Sequence, residues 1–258
     1  MKTWRILTAW NWRIIQKPVW LIIALGSAAQ MAAVCIYSCL RTSAAITYNR
    51  VLINSLSWII FALEFLAVLG AAQRPVLMMN GKTKLGYTMQ TLPSSASTLF
   101  FSNAASTALA IMCVFVAQLL LTFIMYFPAT ALTTMTAQTY IPQYPMPTPD
   151  MQLSLVRTVF FNLLLPTNLF GIITLPLYII APSLLLPGAF FHKGMGRIFG
   201  IIIGVFGAAV CGYMLARQIL ARGYWNHYDT LPIIALLLVI MIFSVLWTLR
   251  TIKRAKWL

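Results

Sequence analysis

The chain has 258 residues, of which 61% are hydrophobic and 8% charged, and its mean hydropathy is +0.87. Soluble globular domains carry about 25% charged residues, so this composition excludes a water-soluble fold and predicts an all-α protein that crosses a membrane several times. The net charge of +15 comes from cations scattered over short polar segments. This scatter favours orientation in a membrane and argues against binding of nucleic acid.

Residues 1–17 combine arginine and lysine with tryptophan, a pattern typical of an amphipathic helix that lies at the membrane surface. A plain positive flank to the first span is the alternative interpretation. The apolar run that follows is too long for the hydrophobic part of a cleaved signal peptide. We therefore expect a retained membrane helix over 19–40.

Five further apolar stretches predict the remaining spans, because about 20 helical residues cross a bilayer core. They lie at 51–73, 100–127, 156–190, 197–215 and 231–249. The fourth is expected to be one long kinked helix, since it contains Pro166, Pro176, Pro182 and Pro187. Residues 128–155 are rich in Thr, Gln and Pro and predict an exposed loop with extended segments.

Six spans place both chain ends on one side of the membrane, and the basic residues identify that side. Of the 18 Lys and Arg residues, 13 lie in the segments 1–17, 74–84, 193–197 and 250–256. An excess of Lys and Arg marks the cytoplasmic side. Both termini and the segment 85–99 are therefore predicted to be cytoplasmic, and the Pro-rich loop is predicted to be outside.

The segment 85–99, with the sequence LGYTMQTLPSSASTL, is too polar to cross a bilayer. We expect a short cytoplasmic helix over Leu85–Thr91. It should end at Leu92-Pro93, because proline disfavours helical backbone in the residue before it. Ser94, Ser95 or Ser97 is expected to cap the helix that follows.

Glu64 falls near the middle of the second span, where an ionised carboxylate costs on the order of 2.5–3.5 kcal/mol. Two interpretations stay open: Glu64 lines a polar path, or it is a protonated or hydrogen-bonded acid that holds two helices together. The remaining acids and histidines do not converge with it on a site; they are Asp150, Asp229, His192 and His227. No catalytic or metal-binding residue is therefore predicted.

Asn80-Gly81-Lys82-Thr83 ends like a nucleotide-binding P-loop, but Val76 stands where that motif needs a glycine. A membrane span also precedes it, where the motif needs a strand. We therefore expect no cofactor on this chain, and if ATP is involved, another subunit binds it.

The fifth span carries a ridge of small residues at every fourth position: Gly196, Gly200, Gly204, Ala208 and Gly212. Such a stripe lets a second helix backbone approach closely in lipid. A subunit interface or moving seam is one interpretation, and ordinary packing inside one subunit is the other.

The predicted topology, the basic amphipathic start and the turn Tyr87-Thr88-Met89-Gln90-Thr91-Leu92-Pro93-Ser94 resemble the permease subunits of type-2 ABC exporters. In that family the turn belongs to a coupling helix between helices 2 and 3, although basic residues often follow its proline, where this chain has Ser94-Ser95-Ala96-Ser97. The resemblance implies two paired permease chains, identical or related, each with a cytoplasmic ABC ATPase that binds ATP and Mg. It also places Glu64 and the ridge of small residues near the path. The implied ATPase contacts are Leu85, Tyr87, Met89, Gln90, Thr91, Leu92, Pro93 and Ser94, with 191–197 as a second contact.

The resemblance thus implies an ATP-driven exporter in the bacterial cell membrane, among membrane lipid and with an amphipathic or hydrophobic substrate. A peptide antibiotic or toxin is favoured, with antibiotic resistance as the outcome. The alternative is an ATP-independent channel or secondary transporter, a class that often shows internal repeats. Residues 1–127 and 128–258 show no convincing similarity, which favours the exporter.

Overall fold

The computed structural model describes residues 2–40, 47–80, 95–140, 151–165, 169–191, 198–207, 210 and 231–254. Every regular element among these residues is an α-helix. The helices are α1 (Lys2–Leu40), α2 (Tyr48–Asn54), α3 (Ser57–Ala72), α4 (Arg74–Asn80), α5 (Ala96–Tyr140), α6 (Met151–Val156), α7 (Val159–Leu164), α8 (Leu169–Phe191), α9 (Ile198–Gly207) and α10 (Leu231–Arg254).

Five stretches of the described chain are long and apolar enough to cross a membrane. They are Thr3–Leu40, Ser57–Met78, Ser97–Met135, Ile172–Ala189 and Pro232–Arg250. The prediction of an all-α, multi-pass membrane protein is therefore confirmed. The predicted span 197–215 is represented by α9, which is too short to cross a bilayer, and by residue 210; the rest of that span lies outside the described residues.

No boundary separates the predicted surface helix 1–17 from the first span 19–40, because α1 runs through Lys17 and Pro18 without interruption. Proline inside a helix removes one backbone hydrogen bond, here to the carbonyl of Ile14. The apolar turns around it still favour a helix, since backbone groups in lipid find partners only within the protein. The basic, aromatic segment is therefore the first part of the same helix that forms the first span.

The predicted span 51–73 is interrupted between α2 and α3. Leu56 has a φ of 59°, in the left-handed region that ends a helix. Ser57 Oγ donates to the carbonyl of Leu52 at 2.6 Å, and Ser55 Oγ donates to the same carbonyl at 3.1 Å. These two hydroxyls bond a carbonyl in the last turn of α2, so the chain can break here without leaving that carbonyl unsatisfied.

Residues 128–140, predicted as part of an exposed loop, continue α5 instead, with Pro128 inside the helix. Thr130 Oγ1 donates to the carbonyl of Tyr126 at 2.8 Å, and Thr133 makes the same bond four residues back. Threonine hydroxyls make such bonds within helices. The threonines are thus satisfied by the helix itself, which is why a Thr-rich composition does not end it.

The predicted span 156–190 is divided among three helices. Thr158 Oγ1 donates to the carbonyl of Leu155 at 2.7 Å and accepts from the backbone N–H of Phe161 at 3.3 Å. The same hydroxyl therefore ends α6 and caps α7. α8 stays helical through Pro176, Pro182 and Pro187.

The chain forms two compact units, the first of which comprises residues 1–20, 68–112 and 173–258. Inside this unit α8 packs closely on α10 at Gly188. A Cβ atom at Gly188 would lie 3.0 Å from Thr248 Oγ1 and 3.6 Å from Ser244 Oγ. Glycine therefore sets how closely these two helices approach.

The second unit comprises residues 21–67 and 113–172. Phenylalanines from three helices pack in its core: Phe61 and Phe65 of α3, Phe115 of α5 and Phe160 of α7. The rings of Phe65 and Phe115 stack with centroids 5.9 Å apart, and Phe61 meets Phe160 edge-on at 5.6 Å. These geometries are the favourable ones for aromatic pairs, so the cluster holds α3, α5 and α7 together.

We expect Tyr48→Phe to lower the free energy of unfolding by about 1 kcal/mol. The buried Tyr48 hydroxyl donates to the carbonyl of Thr122 at 2.6 Å. Burial also raises the pKa of Tyr48, so the hydroxyl stays a donor at physiological pH. Thermal unfolding in detergent micelles measures the effect.

Tyr37→Phe is the matched control, because the Tyr37 hydroxyl accepts from Asn54 Nδ2 at an exposed site, at 3.0 Å. A smaller loss of stability is expected there, because removing an exposed acceptor leaves no buried group without a partner. Equal losses for the two variants would contradict a stabilising buried bond at Tyr48.

Candidate functional site

Three polar side chains from three helices meet inside the second unit. Gln30 of α1 donates through Nε2 to Glu64 Oε2 of α3 and to Gln118 Oε1 of α5, both at 3.0 Å. Gln118 Nε2 donates back to Gln30 Oε1 at 2.9 Å. The exposed fractions of Gln30, Glu64 and Gln118 are 0%, 5% and 2%. We call these three residues the polar cluster.

Gln30 is the centre of the polar cluster. A carboxamide offers two N–H donors and one oxygen acceptor, and Gln30 uses both donors and its oxygen within the cluster. The reciprocal pair with Gln118 fixes the orientation of the Gln30 amide. That orientation leaves the second N–H of Gln30 pointing at the carboxyl group of Glu64.

Gly26 makes room for the carboxyl group of Glu64. It lies one turn before Gln30 on α1, and a Cβ atom there would lie 2.6 Å from Cδ and 2.8 Å from Cγ of Glu64. Real Cβ atoms do not approach other atoms so closely. The Glu64 side chain thus lies directly against the backbone of α1, within reach of Gln30.

The surroundings of the polar cluster are apolar. Phe61 and Phe65 flank Glu64 along α3, and Phe115 precedes Gln118 by one turn on α5; the Phe61 and Phe115 rings lie 6.4 Å apart. A polar group buried without a partner in such surroundings costs several kcal/mol. Hydrogen bonding inside the cluster is therefore a strong constraint on how the three helices pack.

One carboxyl group and two carboxamides give the polar cluster hydrogen-bond donors and acceptors, but not the set of ligands that a metal site needs. Among the described residues, no three His, Cys, Asp or Glu side chains lie close enough together to hold a metal ion. What this arrangement can do chemically is bind a polar group by exchanging hydrogen bonds.

Glu64 lies in the middle of α3, inside the stretch Ser57–Met78 that is able to cross a membrane. Its bond to Gln30 matches the interpretation of a hydrogen-bonded acid that holds two helices together, and Gln30 extends the link to a third helix. The position of Glu64 on a substrate path stays a prediction.

Two members of the predicted ridge, Gly200 and Gly204, lie in α9 and are buried. A Cβ atom at Gly204 would lie 3.6 Å from Ala189 Cβ of α8, so this part of the ridge packs inside one chain. Gly207 shares the contact, because a Cβ atom there would overlap the side chain of Leu185. A role of the ridge between subunits stays a prediction. Outside the described residues lie Gly196, Ala208 and Gly212.

The predicted ATPase contacts from Leu85 to Ser94 lie outside the described residues. The next residue, Ser95, precedes α5, and its Oγ accepts the backbone N–H of Thr98 at 3.2 Å. This is the geometry of a serine N-cap. The prediction that a serine of this segment begins the next helix is confirmed.

Gln30, Gln118 and Gly26 were not predicted from the sequence. The sequence shows Gln30 in the first apolar span and Gln118 in the third, but the second and fourth spans contain uncharged amides as well. This distribution does not say which helices are neighbours, so it cannot pair either glutamine with Glu64. The role of Gly26 likewise depends on where the Glu64 side chain lies.

No protein-family model, no curated protein and no solved structure matches this chain. The features of the chain that bear on its function are the polar cluster, the helices that carry it and the resemblance of the Leu-Pro turn. The polar cluster supplies the chemistry, and the turn supplies the hypothesis about the partner.

We expect Gly26→Ala to lower the melting temperature in detergent. The new methyl group would collide with Glu64 and separate the carboxyl group from Gln30. An intramembrane hydrogen bond contributes about 0.6 kcal/mol on average and up to about 1.7 kcal/mol, and the collision adds to this loss.

Gly70→Ala is the matched control, because no atom lies within 4 Å of a Cβ at Gly70 in the neighbouring helix α3. That variant should be neutral or slightly stabilising, since alanine favours helix over glycine. In a Glu64→Ala background, Gly26→Ala should lose most of its effect. Equal effects in both backgrounds would contradict the contact between Gly26 and Glu64.

Proposed function

We propose that this chain is the membrane-spanning subunit of an ATP-driven ABC exporter of the bacterial cell membrane. In this proposal two permease chains, identical or related, form a path for an amphipathic or hydrophobic substrate, with a peptide antibiotic or toxin favoured. Separate ATPase subunits bind ATP and Mg and act on the segment 85–94. The polar cluster lies on the path.

The observation that carries a transport function is the polar cluster. Ionisable groups at membrane depth are rare and mark pathways for ions or substrates. Packing alone does not require a carboxyl group there, because apolar side chains of similar volume replace buried polar groups at little or no loss of stability. Three polar side chains on three helices therefore favour a protein that transports a solute over a protein that serves only as a membrane anchor.

The turn before α5 supports the ABC exporter within the wider class of transporters. The helix α5 begins at Ala96, three residues after Pro93, and is capped by Ser95. A short polar segment before a capped membrane helix is suited to transmit a movement of a soluble subunit to that helix. A channel that works without a soluble subunit needs no such segment.

An ATP-independent channel or secondary transporter is the second candidate. Secondary transporters often contain interrupted helices near their binding sites, and residues 151–191 are divided among α6, α7 and α8. This observation fits a secondary transporter as well as an exporter. Only the presence of an ATPase partner separates the two classes.

We expect the tagged chain to copurify with a soluble ABC ATPase in equal amounts when both are expressed from the source genome. Leu92→Ala combined with Pro93→Ala should reduce the recovered ATPase about ten-fold or more, because it removes the Leu-Pro dipeptide that the resemblance assigns to the ATPase contact. Densitometry of the purified complex measures the ratio.

Arg50→Ala is the control, since Arg50 is an exposed residue of α2 predicted to lie on the opposite side of the membrane. It should leave the ATPase ratio unchanged. Reproducible absence of an ATPase would favour the second candidate. Labelling of Ser95→Cys only from outside the cell would contradict the cytoplasmic position of the turn.

We expect Glu64→Gln to fold and assemble normally, because an amide oxygen still accepts from Gln30. The variant loses the carboxyl group, so protection of cells against a panel of amphipathic peptide antibiotics should change by about ten-fold or more. Growth inhibition in cells that express the complete complex measures this protection.

Tyr48→Phe is the matched control for Glu64→Gln. It removes one buried hydrogen bond of the second unit while leaving the polar cluster intact, so it should affect stability more than protection. Unchanged protection in Glu64→Gln would favour a purely structural role for Glu64.

A further inference from the structure

Two cations and two tryptophans share one face of α1 in the first unit. Trp10, Arg13, Lys17 and Trp20 follow one another at intervals of three, four and three residues. At about 100° per residue, these positions fall within about 80° of the helix circumference. Arg13, Lys17 and Trp20 are exposed, Trp20 by 53%, and Trp10 is half-buried. We call these four residues the basic face.

The other side of the same helix packs on the protein. Asn11, Ile15 and Val19 are buried. Asn11 Nδ2 donates to Ser102 Oγ of α5 at 3.2 Å. The basic face therefore points away from the protein core.

The described part of the chain offers Arg13 and Lys17 no carboxylate partner. The sequence contains no acidic residue before Glu64, which bonds Gln30, and Asp150 and Asp229 lie outside the described residues. Two cations on adjacent turns, with Cβ atoms about 5–6 Å apart, are thus free to hold one anionic group between them.

The position of the basic face along α1 indicates its depth in the membrane. Lys17 is the last cation of α1, and the residues from Pro18 to Leu40 carry no charge. The basic face therefore lies where α1 enters its apolar run. Tryptophan favours the level where headgroups meet hydrocarbon, and long basic side chains extend their charged ends towards the headgroups.

We propose that the basic face binds the headgroup of an anionic phospholipid, with the phosphate between Arg13 and Lys17 and an indole on either side. The charge argues for a lipid over a second copy of the chain. A second copy related by twofold symmetry would present the same two cations, and like charges in direct opposition repel. The inference does not depend on the proposed export function.

Native mass spectrometry of the full chain in a neutral detergent tests the proposal. The protein is titrated with phosphatidylglycerol or with phosphatidylcholine, and the spectra report both bound lipids and oligomeric state. We expect the wild-type chain to prefer phosphatidylglycerol. Each basic residue near an anionic lipid surface contributes roughly a five-fold gain in affinity, so the double variant R13Q/K17Q should bind about 25-fold more weakly.

Four further variants keep the experiment falsifiable. R13K/K17R preserves both charges and should preserve the preference, and the single variants R13Q and K17Q should each lose about five-fold. R50Q/R157Q removes two exposed arginines of the second unit and should change nothing.

An unchanged preference for phosphatidylglycerol in R13Q/K17Q would overturn the proposal, as would an equal loss in R50Q/R157Q. A change in the ratio of dimer to monomer without a change in bound lipid would also overturn it, because the basic face would then contact a second copy of the chain.

Discussion

Polar groups of this chain have to find partners within the protein, because lipid offers none. Several side chains follow this rule, whereas the buried amides of Gln73 and Asn103 have no hydrogen-bond partner among the described residues. The hydroxyls of Ser57, Thr130 and Thr158 all bond backbone carbonyls of their own or the preceding helix. The polar cluster obeys it between helices, since Gln30 bonds both Glu64 and Gln118. Helix breaks and the candidate site therefore have one physical cause.

Small residues determine which of these bonds are geometrically available. Gly26 lets the Glu64 side chain lie against α1, while Gly188 and Gly204 bring α10 and α9 close to α8. In the first case glycine makes room for a polar side chain, and in the other two it makes room for neighbouring helices. Both uses fit helix association in lipid, which depends on close packing because apolar burial drives it weakly. The polar cluster therefore depends on the space that Gly26 leaves as well as on its three polar members.

Composition and hydropathy predicted the fold class, and the sequence after Leu92-Pro93 predicted the serine cap at α5, because both depend on local properties of the chain. The continuity of α1 through Pro18 and of α5 through Pro128 was not predicted, since the effect of a proline depends on its surroundings. The hydropathy of 51–73 gave no sign of the break at Leu56, which two serine hydroxyls permit. The pairing of Gln30 with Gln118 joins residues 88 positions apart. Such a contact depends on which helices pack against each other, and a single sequence does not show this.

The partner of Glu64 bears on what a proposed path could carry. Within the described residues Glu64 is bonded to a neutral amide, so it is not held in an ion pair with Lys or Arg. Breaking a buried ion pair by removing one partner costs about 3–5 kcal/mol, whereas exchanging one neutral amide donor for another costs far less. Peptide backbones offer N–H donors and carbonyl acceptors of the kind that Gln30 and Gln118 already supply to one another. In the proposed exporter, a peptide could therefore take over the hydrogen bonds of the polar cluster one at a time, without breaking an ion pair at any step.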